Sequence, residues 1–332
     1  MPDLPAPARR GRTKGSAPCC RERCGASVGT VPSGTGGVRS RTARALRAAP
    51  WFLLRGAAAR EAWALRARPR PSSEGQSMTQ RQEFYSKVAE KFGGYSSGAQ
   101  RTTSFPQGDP EEHFDSLVRE HGSPTARLLD VGCADGRNVL AVAPAFGRVE
   151  AIDLSAEMLA SAERHRAGSG LDHVAFTVGD ASATGFPDQT FDVVTSRRGP
   201  LFPQEFHRVL RPGGTVVYLG IGERDVQSLK EVFGRGQLYG RWSGEPVVRQ
   251  ERRRLEDAGL TVEEEREFSY DEFFHTPADL DRFLQMVPIF EDYDSATDRR
   301  SFERYAAQAT TPEGIHLARH WFVLCARRPA QG

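Results

Sequence analysis

Apolar residues along the chain fall into short blocks whose spacing alternates between helical and extended. Residues 82 to 92 place Phe84, Val88 and Phe92 on one face at helical spacing, which predicts an amphipathic helix. Residues 127 to 131, ArgLeuLeuAspVal, form a compact apolar run holding one acid, Asp130, and predict a buried strand. A turn with Gly132 and Gly136 follows, and residues 138 to 145 then carry Val139, Leu140 and Val142 at helical spacing. Glycine removes the Cβ that hinders a tight turn or the close approach of a ligand. The helix that starts there aims its first free N–H groups over the turn. Ser155 is placed to cap another helix that runs to about Arg166, with Met158 and Leu159 inward. Strands alternating with helices predict an α/β domain with a parallel sheet and helices on both faces.

Further along, residues 181 to 190 are rich in turn formers, and the charge run from Arg249 to Ala258 predicts a solvated helix closed by Gly259. Residues 261 to 269 and 320 to 328 predict two more strands. Between them lies an insert, 270 to 318, which holds Tyr270, Phe273, Phe274, Phe283, Met286, Phe290 and Tyr293. A segment that long is expected to carry helices of its own, and 278 to 285 and 299 to 307 fit them.

The turn after residue 131 has acid-x-Gly-x-x-x-Gly spacing. It misses the dinucleotide fingerprint G-x-G-x-x-G, because Ala134 and Arg137 stand where the second and third glycines belong. More motifs follow in order. They are GluAlaIleAspLeuSer at 150 to 155, ValGlyAspAla at 178 to 181, PheAspValValThrSer at 191 to 196, and a helix, Pro-Gly-Gly turn and strand over 206 to 220. The series resembles the class I S-adenosylmethionine-dependent methyltransferases, in particular a methyltransferase type 11-like domain. The resemblance implies a seven-stranded, mostly parallel Rossmann-like sheet with a helical lid insert over the substrate.

It also implies roles for individual residues, with S-adenosyl-L-methionine as cofactor and no metal. Gly132, with Gly136 beside it and Cys133 in the same turn, would let the backbone approach the cofactor. Asp130 would orient that turn and the methionine ammonium, while Asp153 would accept both ribose hydroxyls. Leu154 and Met158 would flank the adenine, Asp180 would accept from its amino group, and Ala181 would offer a backbone N–H. Phe92, Tyr95 and Arg101 are lid candidates. ThrSerArgArgGlyPro, 195 to 200, takes the place of an Asn-Pro-Pro-Tyr motif, which argues against methylation of adenine N6 or a glutamine amide. Arg197 and Arg198 stand there instead, suited to a carboxylate or phosphate. Strand alternation allows one of them to face the pocket, and Arg197 is the choice. No general base is visible; among His207, His275, His316 and His320, the lid residues His275 and His316 rank first.

Charge divides the chain. Residues 1 to 77 hold 15 Arg or Lys against 4 Asp or Glu, whereas the remainder holds 30 against 39, a balance of −9. The first part reads as a disordered basic extension, with a transit peptide or a nucleic-acid-binding arm as alternatives. Residues 78 to 332 read as the methyltransferase domain. An acidic domain disfavours a nucleic acid partner. The expected acceptor is therefore a small molecule with an anionic group, methylated on O or N. An RNA acceptor and a non-catalytic cofactor-binding role are the alternatives. No apolar run spans a membrane, and the five scattered cysteines suit a reducing cytoplasm.

Overall fold

The computed structural model describes residues 73–94, 98–240 and 244–330, leaving aside the side chains of 73–82. The basic extension to residue 72 and the lid candidate Tyr95 lie outside the described residues. Helix α1, Ser73–Phe92, starts five residues before the expected boundary at Met78. Its apolar face buries Phe84, Val88 and Ala89 against Met158 and Met286.

Next come strand β1, Arg101–Ser104, and helix α2, Pro110–Glu120. Asp109 caps α2 by accepting from the Glu111 N–H, and Pro110 supplies a first-turn residue with no donor to satisfy. Strand β2, Ser123–Val131, leads through the glycine turn into helix α3, Arg137–Val142, and a 3₁₀ turn, Ala143–Ala145. Strand β3 is Phe146–Asp153, helix α4 Ala156–Arg166 and strand β4 Val174–Val178. Strand β5, Phe191–Arg197, helix α5, Pro203–Val209, and strand β6, Leu210–Ile221, complete the predicted alternation.

The strands form one sheet in the order β1-β7-β9-β6-β5-β2-β3-β4. Strands β2 to β6 run parallel. Strand β9, Gly314–Arg327, inserts antiparallel between β6 and β7, Thr261–Phe274. These are the seven expected strands. Two short ones are added: β1 on the outer edge of β7, and β8, Thr310–Thr311, on β9. Leu128, Val149, Val193, Val217 and Val323 build the core on one face, and Leu129, Ile152, Val194, Val216 and Leu324 build it on the other.

The insert is shorter than expected, because β7 and β9 continue as a paired ribbon, flanked by β1 and β8, beyond the line where the parallel strands end. Ile221 pairs with Trp321, which pairs with Phe268, yet β7 runs on to Phe274 and β9 begins at Gly314. Side chains of Tyr270, Glu272 and Phe274 alternate inward, so the pattern remains that of a strand. Helices α6, Gln227–Phe233, α8, Pro277–Leu284, and α9, Arg299–Ala309, close a separate core of Leu229, Phe274, Leu280, Phe290 and Leu317 around this ribbon. Helix α7, Val247–Asp257, covers the opposite face through Val248 and Leu255. Among the described residues no helix is long and apolar enough to cross a membrane.

Candidate active site at the carboxyl edge of the sheet

The glycine turn is pinned to the end of β3 by the backbone. The N–H groups of Gly132 and Cys133 both donate to the Ile152 carbonyl, at 2.8 and 3.1 Å. Asp153, the last residue of β3, then holds the turn from its side chain: Oδ2 accepts from the Ala134 N–H and Oδ1 from the Ser155 N–H, each at 2.9 Å. The Leu154 N–H also bonds to this carboxylate, and of a carboxylate's roughly four acceptor sites these bonds leave part free. Burial raises the Asp153 carboxyl above its ordinary value, and the backbone N–H groups oppose the rise.

Two glycines that sequence reading paired have different tasks. At Gly132, φ is +73° and a Cβ would lie 3.3 Å from Pro200 Cδ, so the turn passes close under residues 199 and 200. At Gly136, φ is +75° and a Cβ would lie 2.7 Å from Phe176 Cζ and 2.8 Å from Ala162 Cβ. Gly136 thus lets α3 sit against α4 and β4 and serves packing. Ala134 takes a left-handed backbone at φ +48° where glycine is the easier residue. Cys133 is buried in the core, where burial raises its thiol further.

Asp130 and Thr195 face each other on adjacent strands, with Thr195 Oγ1 donating to Asp130 Oδ1 at 2.7 Å. Burial pushes the Asp130 carboxyl up to about 6, against the pull of the Thr195 bond and of Arg197. Leu154 is half-buried beside the edge, while Met158 is fully buried under α1 and Met286. Asp180 turns back on its own loop and accepts from the Ser182 N–H and hydroxyl, both at 2.8 Å, and Ala181 packs into the core near Ile152.

Both arginines at the end of β5 lie on one side of the sheet, which corrects the expectation from alternation. Arg198 has φ +54°, a conformation uncommon for a residue with a Cβ, and this twist returns its side chain to the side of Arg197. Arg197 is paired with Glu111 and Asp115 of α2 and lies 4.4 Å from the Phe114 ring. Arg198 pairs with the other oxygen of Glu111 and lies 4.5 Å from the Trp321 ring. Burial pulls the Glu111 carboxyl up, but Arg198 and then Arg197 outweigh it and hold it below its ordinary value. Next to this group, Arg319 is buried between Asp225 and Glu272, and Arg101 reaches Glu272 at 2.7 Å. Sequence reading missed Glu111, Asp115, Asp225, Glu272, Arg319 and Trp321, because none belongs to a motif.

The lid histidines lie away from this group. His275 is exposed, with Nε2 3.0 Å from Thr102 Oγ1, and His316 pairs with Asp271 at 2.6 Å. His316 stands five ribbon residues beyond Trp321, roughly 16 Å at the rise of a strand. His320 is closer and buried, 2.8 Å from Glu267 Oε2. Its Nδ1 lies 3.4 Å from the Arg224 backbone nitrogen, and its Nε2 also meets Arg224 Nη2 at 3.1 Å. Among the described residues no cluster of His, Cys, Asp or Glu is placed to hold a metal ion.

A family model described as a methyltransferase domain matches residues 128–214, the segment from β2 to the start of β6. Residues 128–214 thus match a methyltransferase domain. Among curated relatives of this domain, demethylmenaquinone methyltransferase of Alkalihalophilus pseudofirmus is 32% identical over 129 residues, 36% of this chain and 55% of that protein. Malonyl-[acyl-carrier protein] O-methyltransferase of Methylococcus capsulatus is 32% identical over 122 residues, 34% of this chain and 44% of that protein. The chain spans about half the length of the curated relatives it matches. A crystal structure of a candidate methyltransferase from Bacillus halodurans C-125 aligns with 67% of this chain and all of its own, at TM-score 0.50 and 19% identity, a likeness of fold. The matched methyltransferase segment contains Asp130, Asp153, Asp180 and both arginines of β5, whereas the ribbon and its helices lie outside it.

Proposed function

We propose that the protein transfers a methyl group from S-adenosyl-L-methionine to an oxygen or nitrogen of a small, anionic acceptor in a reducing cytoplasm. The observation that carries this reading is Asp153, a carboxylate at the end of β3 that accepts the Ala134 N–H of the turn through one oxygen and the Ser155 N–H beyond β3 through the other, and keeps acceptor capacity. That is what two neighbouring ribose hydroxyls require. Gly132 lets the turn pass close under residues 199 and 200 and so sets the loop against the strand ends, and Leu154 offers an apolar surface to the adenine. Met158 is covered by α1, so in this arrangement its contribution to the adenine site runs through packing.

When bound, the cofactor supplies an electrophilic methyl group, and the protein's task is placement and proton handling. Asp130 and Thr195 hold the ends of β2 and β5 together beneath the transfer region. The ribbon and its helices stand over the carboxyl edge, where open α/β sheets take their ligands. Two buried free thiols, Cys133 and Cys325, are in keeping with a reducing compartment. The test is release of S-adenosylhomocysteine from S-adenosylmethionine by the purified full chain, screened against metabolite pools and RNA. Turnover with carboxylate-bearing metabolites is expected. Cofactor binding without turnover on any pool would show a binding protein, and turnover on RNA alone would refute the small-molecule acceptor.

A further inference from the structure

Donor capacity is unevenly used among the arginines at the carboxyl edge. Arg197 donates to Glu111 and Asp115. Arg319 uses all three nitrogens, Nε and Nη2 on Asp225 and Nη1 on Glu272. Arg198 makes one ion pair, Nη1 to Glu111 at 2.5 Å, and among the described residues its Nε and Nη2 meet no acceptor. Its side chain is 26% exposed, while that of Arg197 is 9% exposed. The Arg198 guanidinium lies over Trp321, which is 4% exposed and whose indole N–H has no hydrogen-bond partner among the described residues. A buried donor without an acceptor is unfavourable, and such groups in native proteins commonly mark a missing partner. The left-handed backbone that brings Arg198 here adds an independent sign, since strain of this kind gathers at ligand sites.

We propose that Arg198 and the Trp321 indole N–H form the hold for a carboxylate of the methyl acceptor, a conclusion that rests on the methyl-transfer reading above. The free edge of a guanidinium presents parallel N–H bonds that match the two oxygens of a carboxylate. Charge selects against phosphate. Arg119, Arg197 and Arg198 meet Glu111 and Asp115, while Arg101 and Arg319 meet Asp225 and Glu272, so the group around Arg198 carries one formal positive charge in excess before any ligand arrives. A singly charged carboxylate neutralises that excess, whereas a dianionic phosphate would reverse it. Tyr270, packed edge-on to Trp321 with ring centroids 5.2 Å apart, gives the hold an apolar wall suited to a flat acceptor.

Sodium benzoate is the probe, with benzyl alcohol as its neutral counterpart. The indole signal of Trp321 in the ¹H–¹⁵N spectrum of the full chain is assigned by its disappearance in Trp321→Phe. Benzoate is expected to move that signal saturably and benzyl alcohol to leave it in place. Arg198→Gln is expected to weaken benzoate by about tenfold or more, Arg198→Lys by less, with the affinity for S-adenosylhomocysteine unchanged in both. That unchanged affinity also shows that the variants fold. An indole signal that benzoate never moves overturns the proposal. So does a loss of S-adenosylhomocysteine affinity in Arg198→Gln, which would assign the arginine to the cofactor's own carboxylate. If the wild type binds benzoate as described but not S-adenosylhomocysteine, the carboxylate hold stands and the methyl-transfer reading falls.

Discussion

Replacing Asp130 by Asn removes a carboxyl group that the fold keeps out of water while preserving its shape and its acceptor for the Thr195 hydroxyl, 2.7 Å away. Burial raises this carboxyl from 3.8 to about 6. The folded chain therefore binds the proton more tightly than the unfolded chain. Its stabilising contribution is fully present below pH 3.8 and is lost as the pH rises through about 6. Taking these two values for the unfolded and folded chains, the loss amounts to about 3 kcal/mol at most. Asparagine has no proton to lose, so the variant should gain on the wild type as pH rises from about 4 to about 7.5, by an amount approaching that figure. Urea unfolding of both proteins across this range, reported as the difference in stability at each pH, cancels the titration of every other carboxylate. A difference that stays constant, or that moves in favour of the wild type, would refute the claim that Asp130 is held by burial and would make the charged form the one the fold prefers.

Asp153→Ala should lower S-adenosylhomocysteine affinity at least about tenfold, since each charge-assisted bond to a carboxylate is worth about 1.5 to 3 kcal/mol; calorimetry showing wild-type affinity would remove the ribose role. Gly136→Ala should destabilise by about 2 kcal/mol or more, because its Cβ would meet Phe176 at 2.7 Å on a backbone with positive φ, and denaturant unfolding would detect it. A silent change there would mean that β4 gives way. Deleting residues 1–72, which are rich in Arg, Ala, Gly, Ser and Pro, should leave the thermal midpoint almost unchanged; a drop of many degrees would show that the extension contributes burial.

The parallel half of the sheet could be read from the sequence because each strand announces itself locally, by an apolar run and an acid or glycine at its end. Asp130, Gly132 and Asp153 belong to that half. Strand β1 could not be read this way: its residues are mostly exposed, and it exists through pairing with a segment about 170 residues later. The ribbon hid for a related reason. Tyr270, Glu272 and Phe274 alternate as in a strand, but the alternation is short and lies among aromatics that also suit helices. Arg198 shows a limit of another kind. Period-two reasoning sends it away from Arg197, and one left-handed residue reverses the outcome without any glycine or asparagine to announce it. The carboxylates that engage the arginines come from α2, whose sequence resembles an ordinary amphipathic helix.

The ribbon of β7 and β9 has a consequence for how such a protein can change over time. Both ends of the insert leave the sheet at neighbouring positions, with Phe274 paired to Ile315, and the helices between them fold around a core largely of their own. On the proposed reading, an exchange of everything between those two residues would alter the roof over an acceptor while leaving the strand ends of the cofactor site in register. Selection on what is methylated and selection on how the methyl donor is held could then act on separate stretches of chain, joined where β7 and β9 pair.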